Sequence, residues 1–572
     1  MEEKKVKIKF NIIAIICILI FCITISPKTL QNDTFYTIKN GEQIIKNKGI
    51  NMEEPFAWHE GLKYTYPHWM YDTGIYLVYH AGENVATHLG MDAEQGGMIA
   101  IYISTIVLAS VLGILIYRTN IKINKSYIIS FFLTLGVLYL LRNFIAARAQ
   151  LLSYIFFTLE ILFIEQFLKT KKKRYAIGLF TLAILIANCH AAVWYLFFIL
   201  ALPYIGEAFI IKLIDSNWSY KVEIKSLQHK LKVIERKLDK CKEDKKKDRL
   251  KNKIEDLKNQ IKKTEEMMIK NIAAKEKMEK NAYKIKTERR ENIKWLILVL
   301  IICIFSGLLT PQPTFEPYTH FIKLMVGNAV GSISEHQPIV LINSIEALFI
   351  GILILAFLIF TDTKITYKDL FMLGGLIVLT LISQRQLSIL GLIGIYSLTR
   401  LMLDFMKKYE SENADMIIMR KLTKIYPATV IILLSILCGV NLYGNKNEHK
   451  YISEKNYPVQ AAQYILDNID IENMRLYNHY NFGSYLLYRN IPVFIDSRCD
   501  LYTPEFNEKD IFSDTLAINA LNTDYDEKFE EYGITHIITE SDSKLTMVLN
   551  KGEDYNKIYE DEYFCIFERK AK

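Results

Sequence analysis

Acidic, histidine and aromatic side chains gather just beyond the first apolar segment, in Asn32-Asp33-Thr34-Phe35-Tyr36, Asn40-Gly41, Gly49-Ile50, Glu54-Pro55-Phe56-Ala57-Trp58-His59 and His68-Trp69. A carboxylate at the border of water and lipid stands where an enzyme acting on a lipid-linked substrate needs a general base. Asp33 is therefore the leading catalytic candidate. It would remove the proton from an acceptor hydroxyl as that oxygen attacks an activated carbon. Its alternative use is to hold a divalent cation against a phosphate. The loop 28–96 is long and rich in aromatics and histidine (His59, His68, His80), enough to build a pocket against the membrane. Four cations, Lys39, Arg142, Arg148 and Arg385, join Asp33 on the same expected side, against the usual bias of basic residues. A lipid-borne phosphate or pyrophosphate explains the set, because guanidinium groups grip phosphate bidentately. The structural alternative is snorkelling to headgroups or pairing with Glu335 and Asp72. His59, His68 and His190 lack a metal-binding spacing such as H-E-x-x-H, so no zinc site is expected.

The elements that must position these groups are membrane helices. Of the 572 residues 51% are hydrophobic, yet 23% are charged, a combination that requires the two kinds to be segregated. Apolar runs of the length needed to cross a bilayer recur near 8–27, 97–117, 126–142, 150–168, 175–190, 191–213, 294–310, 341–361, 368–384, 387–405 and 425–443. They predict about eleven spans. Lysine and arginine in Met1 to Lys9 and in loops 118–125, 170–174, 362–368 and 406–424 put those segments in the cytoplasm. An odd number of spans then sets the C-terminus outside, together with Asp33, Arg148, His190, the 311–340 loop and Arg385. A cleaved signal peptide competes for the first segment, but Thr24-Ile25-Ser26 is a poor cleavage site. Most cysteines lie in membrane or cytoplasmic segments; Cys499 and Cys565 fall outside and are either a pair or two free thiols.

Two soluble modules interrupt this pattern. They divide the chain into an N-terminal membrane domain over residues 1–213, an insert over 214–293, a second membrane region over 294–443 and an outer domain over 444–572. In the insert, Leu227, Leu231, Ile234, Leu238 and Cys241, then Leu250, Ile254, Leu257, Ile261 and Met268, alternate steps of four and three residues. A polar interval, Lys242 to Asp248, splits the seam. The expectation is a cytoplasmic coiled-coil hairpin, with a plain solvated insertion as the alternative; a functional reading makes it a docking site for a protein partner or for anionic headgroups. The outer domain reads as α/β, with a helix at Val459 to Asn468 and strands at Met474–Tyr477, Val493–Ile495, His536–Ile538 and Tyr563–Phe567. Asn478 to Tyr485 reads as a turn. Asp496, Arg498 and Asp500 read first as an ion-paired loop and second as a ligand contact.

These residues carry a resemblance. Asp33-x-Phe35-Tyr36, Asn40-Gly41, Gly49-Ile50, Glu54 to Trp58 and His68-Trp69 are similar to the first outer loop of bacterial membrane proteins of the GT-C glycosyltransferase superfamily, which includes protein O-mannosyltransferases and the oligosaccharyltransferase catalytic subunit. Arg148 to Ser153, Ala187 to His190, Ser334-Glu335-His336-Gln337-Pro338, Phe482 to Tyr485 and Phe494 to Arg498 extend it over most of the chain except the insert. The resemblance implies a mainly α, polytopic bundle, a polyprenyl-phosphate sugar donor, an inverting transfer to an acceptor outside the cytoplasm, and Asp33 as the essential acid. Lys39, Arg142, Arg148, Arg385, His59, His68, His190 and Glu335 are the substrate-binding candidates. Asp33 lacks the adjacent second acid of many relatives, and the Trp-Trp-Asp signature is absent. Rival readings are a non-catalytic scaffold for envelope assembly and a lipid-linked glycan transporter or flippase, although no internal repeat is visible. No nucleic-acid partner is expected.

Overall fold

The computed structural model describes residues 2–215, 217–239, 244–281, 284–312, 315–326, 333–340, 344–409, 414–425, 431–432, 434–436, 438–439 and 450–570. The fold is mainly helical. Among the described residues, five helices are long and apolar enough to cross a membrane: Glu2–Ile25, Ala93–Asn124, Ala149–Thr170, Ala191–Leu213 and Gln384–Lys407. Ile128–Phe144, Ile293–Leu308 and Ile345–Phe360 are shorter apolar helices, and Lys173–Cys189 and Tyr367–Ile382 fall in two further expected spans. The chain is thus a multi-pass membrane protein by composition and helix length. The expected span 425–443 lies mostly outside the described residues, as do Cys241 and the start of the polar interval at Lys242.

We label the helices of the N-terminal part α1 (Glu2–Ile25), α2 (Asn32–Lys46), α3 (Trp69–His88), α4 (Ala93–Asn124), α5 (Ile128–Leu141), α6 (Ala149–Thr170) and α7 (Lys173–Cys189). The segment expected as an outer loop is therefore largely helical. Asp33 sits in the first turn of α2, not in a loop. Gly41 lets α2 close on α3, since a methyl there would collide with the Asp72 carbonyl and with Cβ of Tyr76. Around α6 the bundle core is continuous from Ile18 and Leu112 through Tyr154, Phe157 and Ile164 to Ile393.

The C-terminal domain contains a four-stranded sheet in the order β3-β4-β6-β5, with β3 Leu476–Tyr477 parallel to β4 His536–Glu540, and β6 Phe564–Arg569 antiparallel to both β4 and β5 Tyr555–Glu560. Strands β1 Ile285–Lys286 and β2 Ile365–Thr366 pair separately. Two expectations are corrected. Val493–Ile495 is not a ladder strand: Val493 makes one isolated bridge to Ala57, and Phe494 donates its amide to Asn478 Oδ1 at 2.9 Å. Asn478 to Tyr485 is not a simple turn, because Tyr480–Tyr488 is a helix capped by the His479 side chain. Cys499 and Cys565 are both buried, free thiols.

This domain and the α2–α3 region form one body. Phe35 of α2 is fully buried against Tyr457, Tyr485 and Tyr488, and Trp58 donates its indole N–H to the Leu476 carbonyl at 2.9 Å. At the centre Arg498 donates to both oxygens of Glu54 at 2.8 and 2.9 Å and to Asp496 at 2.6 Å, with all three side chains at most 1% exposed. Burial disfavours the Arg498 charge, but Asp496 and Glu54 outweigh it and hold the guanidinium well above its ordinary range. At the far end of α6, Glu165 faces Arg290, Lys368 and Arg400. There the helices Trp218–Asp239 and Asp244–Asn281 leave the bundle and pack against each other.

Arg498→Met should strand two buried carboxylates and cost about 3–5 kcal/mol. Thermal unfolding in detergent checks this, against Arg475→Met as a control on an exposed arginine of the same domain.

Candidate functional site

The cavity forms where five chain segments meet, at α2, His68, the head of α6, His190 and Arg385. Asn32 pins the entry to α2 by donating to the Tyr480 carbonyl at 2.9 Å, and Thr34 donates to the Ala147 carbonyl at 3.3 Å. With Phe35 locked into the aromatic cluster on one side of α2, Asp33, Tyr36, Thr37 and Asn40 fall at i, i+3, i+4 and i+7, a single helical face. Arg148 is the N-cap residue of α6. Arg385 lies in the short 3₁₀ turn Gln384–Gln386 between two membrane-domain helices. Asp33, Tyr36, Thr37, His68, Arg148, Ala149, Gln150, His190 and Arg385 line one cavity of about 340 Å³, open solvent included.

Its electrostatics centre on an ion pair between Asp33 Oδ2 and Arg148 Nη2. Glu335 bridges the two arginines, 3.6 Å from Arg148 and 4.0 Å from Arg385, and is half exposed. Arg385 also donates to Gln150 Oε1 at 3.5 Å. Burial opposes the Arg148 charge, but Asp33 and then Glu335 more than compensate and raise it above its ordinary range. The α6 N-terminus adds its unpaired N–H groups and the positive end of its dipole. The cavity therefore offers two guanidiniums and a helix N-terminus beside one carboxylate, a receptor for an anion next to a base.

Behind this pair lies a polar chain. Tyr36 OH is 3.3 Å from His68 Nε2, and His68 Nδ1 is 2.7 Å from Asp72 Oδ1. Asn40 donates to the other Asp72 oxygen at 3.1 Å. Burial works against a charged His68, but the Asp72 carboxylate prevails and raises its pKa above the usual 6.5. His190 is anchored by Ser153, whose hydroxyl is 2.9 Å from its Nδ1.

Of the sequence candidates, Asp33, Arg148, Arg385, His68 and His190 converge here, with Glu335 at the rim. Lys39, Arg142 and His59 lie elsewhere. Six helical residues past Asp33, Lys39 is rotated about 120° around α2 and bonds Glu42 at 2.5 Å and Asn490 at 2.8 Å. Arg142 pairs with Glu346 at 3.1 Å and lies over the Tyr139 ring. His59 stacks on Trp58, bonds the Phe494 carbonyl at 2.9 Å, and is pushed down to about 4 by burial, so it carries no charge at neutral pH. Asp496 and Arg498 are consumed by the buried triad, and Asp500 faces His320 at 3.7 Å. Thr37 and Gln150 were not singled out by the sequence, and Tyr36 and Asp72 stood there only as a motif residue and an arginine partner; the i, i+3, i+4 spacing from Asp33 was the available signal for Tyr36 and Thr37. Among the described residues no group of three or more His, Cys, Asp or Glu side chains is arranged to hold a metal ion.

No protein-family model matches the chain, and no curated protein matches it. Solved structures do. The archaeal oligosaccharyltransferase AglB from Archaeoglobus fulgidus, in complex with an inhibitory peptide and a dolichol-phosphate, aligns with a TM-score of 0.51 at 9% identity, over 93% of this chain and 69% of that one. The apo form of the Archaeoglobus fulgidus enzyme aligns equally well, at 0.51 and 9%, over 94% and 69%. The resemblance to oligosaccharyltransferases thus holds at the level of the fold across nearly the whole chain.

Asp72→Asn should remove the charge that sustains the His68 imidazolium. Carbethoxylation, which needs the neutral ring, is read by peptide mapping against pH. The midpoint for His68 should lie above 6.5 in the parent chain and fall to lower pH in the variant; an unmoved midpoint would assign the shift elsewhere.

Proposed function

We propose that this chain is an integral membrane glycosyltransferase that moves a sugar from a polyprenyl-phosphate-linked donor to an acceptor outside the cytoplasm. The observation that carries the reading is the convergence of Asp33, Arg148 and Arg385 on one cavity at the head of α6. The shared fold supports it, since AglB was solved with a dolichol-phosphate bound. In this reading the chain crosses the membrane about eleven times, with its N-terminus in the cytoplasm and the cavity and C-terminal domain on the outer side.

The donor phosphate competes with Asp33 for the Arg148 guanidinium, and Arg385 and the α6 N-terminus complete its shell. Loss of that pairing frees Asp33 to act on the acceptor. The acceptor oxygen or nitrogen attacks the anomeric carbon, its proton passes to Asp33, and the carbon–oxygen bond to phosphate breaks with its electron pair leaving on the phosphate. The developing charge is met by groups already in place, so little reorganisation is needed. Attack opposite the leaving group inverts the anomeric centre. Tyr36, held by His68 and Asp72, borders the attacking side and stiffens it.

Membranes containing the parent chain or Asp33→Asn, supplied with radiolabelled polyprenyl-phosphate sugars, test the proposal. Label should enter a new product with the parent chain and fall by about 10²-fold or more in the variant at equal protein level. Absence of transfer from every donor by the folded parent chain would favour the scaffold or transporter readings.

A further inference from the structure

The helices Trp218–Asp239 and Asp244–Asn281 play no role in the cavity. Between Trp218 and Asn281, 21 Lys and Arg stand against 12 Asp and Glu, an excess of nine in a chain whose formal net charge is +8. The hairpin therefore carries the whole positive balance of the protein. Lys225, Lys232, Arg236, Lys245, Arg249 and Lys251 are all exposed. The C-terminal domain is opposite in sign, with 23 acidic and 12 basic residues between Lys450 and Lys570.

The feet of the hairpin are fixed at the membrane surface. Its first helix follows the apolar span Ala191–Leu213 after a few residues, and Asn271 on the second helix donates to Asn217 at 3.3 Å. The returning chain is clamped by the β1–β2 pair, by Lys286 with Asp404 and by Arg290 with Glu165 at 3.5 Å, before the apolar helix Ile293–Ile304 begins. Glu165 lies near the C-terminal end of α6 and the cavity at its N-terminal end. A 22-residue helix is about 33 Å long, the thickness of a bilayer core, so hairpin and cavity belong to opposite faces of the membrane. Exposed Val222, Met267, Ile269 and Ile272 cluster toward the feet, where interfacial side chains enter the headgroup layer.

We propose that this hairpin is a lipid-binding strap that lies along the leaflet from which it emerges and binds its anionic phospholipid headgroups. Each basic side chain near such a surface is drawn to its negative potential, and tethering at both feet keeps lipid at high effective concentration, ahead of any soluble polyanion. Nucleic acid is disfavoured because the hairpin's aromatic residues, Trp218 and Tyr220, sit at its first foot and no Phe, Tyr or Trp occurs between Lys221 and Asn281 to stack on bases. The acidic C-terminal domain of a second copy in the same membrane lies across the bilayer. The proposal is independent of the reaction assigned to the cavity.

The test uses the full chain with Cys241→Ser and Lys251→Cys, labelled at 251 with a donor fluorophore. It is placed in nanodiscs of phosphatidylcholine, alone or with one-third phosphatidylglycerol, each with an acceptor on the lipid headgroups. Energy transfer should be at least about twofold higher in the anionic discs and return to the neutral-disc level when salt rises from about 0.05 to about 0.5 M, where the Debye length shrinks to a few ångströms. Lys245→Gln, Arg249→Gln, Lys253→Gln, Lys258→Gln and Lys262→Gln together should abolish the increase while leaving the melting temperature unchanged. Equal transfer in both discs, an increase that survives high salt, or its persistence in the folded glutamine variant would overturn the strap. So would polyglutamate or RNA binding the hairpin in neutral discs while transfer shows no dependence on lipid charge.

Discussion

Arg498 bonds Glu54 across 444 residues of sequence and Asp496 two residues away, and the placement of the cavity depends on that contact. A guanidinium taken out of water is costly unless its donors are met, so the chain between Glu54 and Pro55 on one side and the Phe494–Cys499 segment on the other has one low-energy arrangement. That arrangement presses the aromatic cluster around Phe35 together. Phe35 in turn fixes the rotation of α2, and α2 aims Asp33 at Arg148. The buried triad stands directly behind the cavity wall, with the Arg498 guanidinium 6.0 Å from the centre of the Tyr36 ring.

The cavity uses the same chemistry at lower burial. Asp33 and Arg148 remain partly exposed, so their pairing can be exchanged for a ligand's phosphate, whereas the Arg498 triad cannot exchange with anything. A structural ion pair and a functional one are distinguished here by access rather than by residue type. In the proposed topology α6 links the two membrane faces, with the anion-receptive end at Arg148 and a second charge cluster around Glu165 at its other end. Opposite net charges on the C-terminal domain and on the basic hairpin fit that proposed division.

Membrane segments, the basic insert and the acidic candidate were legible in the sequence because each rests on local pattern. Long apolar runs, a lysine-rich stretch with four-and-three spacing and a carboxylate beyond the first span need no knowledge of the fold. The helical character of 28–96 was not legible, since its aromatic, glycine and proline content resembles a loop until Phe35 packs on Tyr485 and α2 closes on Asp72 of α3. Val493–Ile495 looked like a strand for the converse reason: three buried apolar residues satisfy either a ladder or, as here, hydrogen bonds to Ala57's neighbours and Asn478.

The sequence by itself determined that the chain is a multi-pass membrane protein with a polar C-terminal domain, and that Asp33, Arg148 and Arg385 were groups in search of a reason, because charge near lipid is expensive wherever it is placed. Only the tertiary structure decided which charges share a site. Lys39 and Asp33 are six residues apart and point from different faces of one helix, while Arg385, more than 350 residues away, comes to the same cavity as Asp33. Sequence distance says little about that choice; helix rotation and the packing of Phe35 and Arg498 make it.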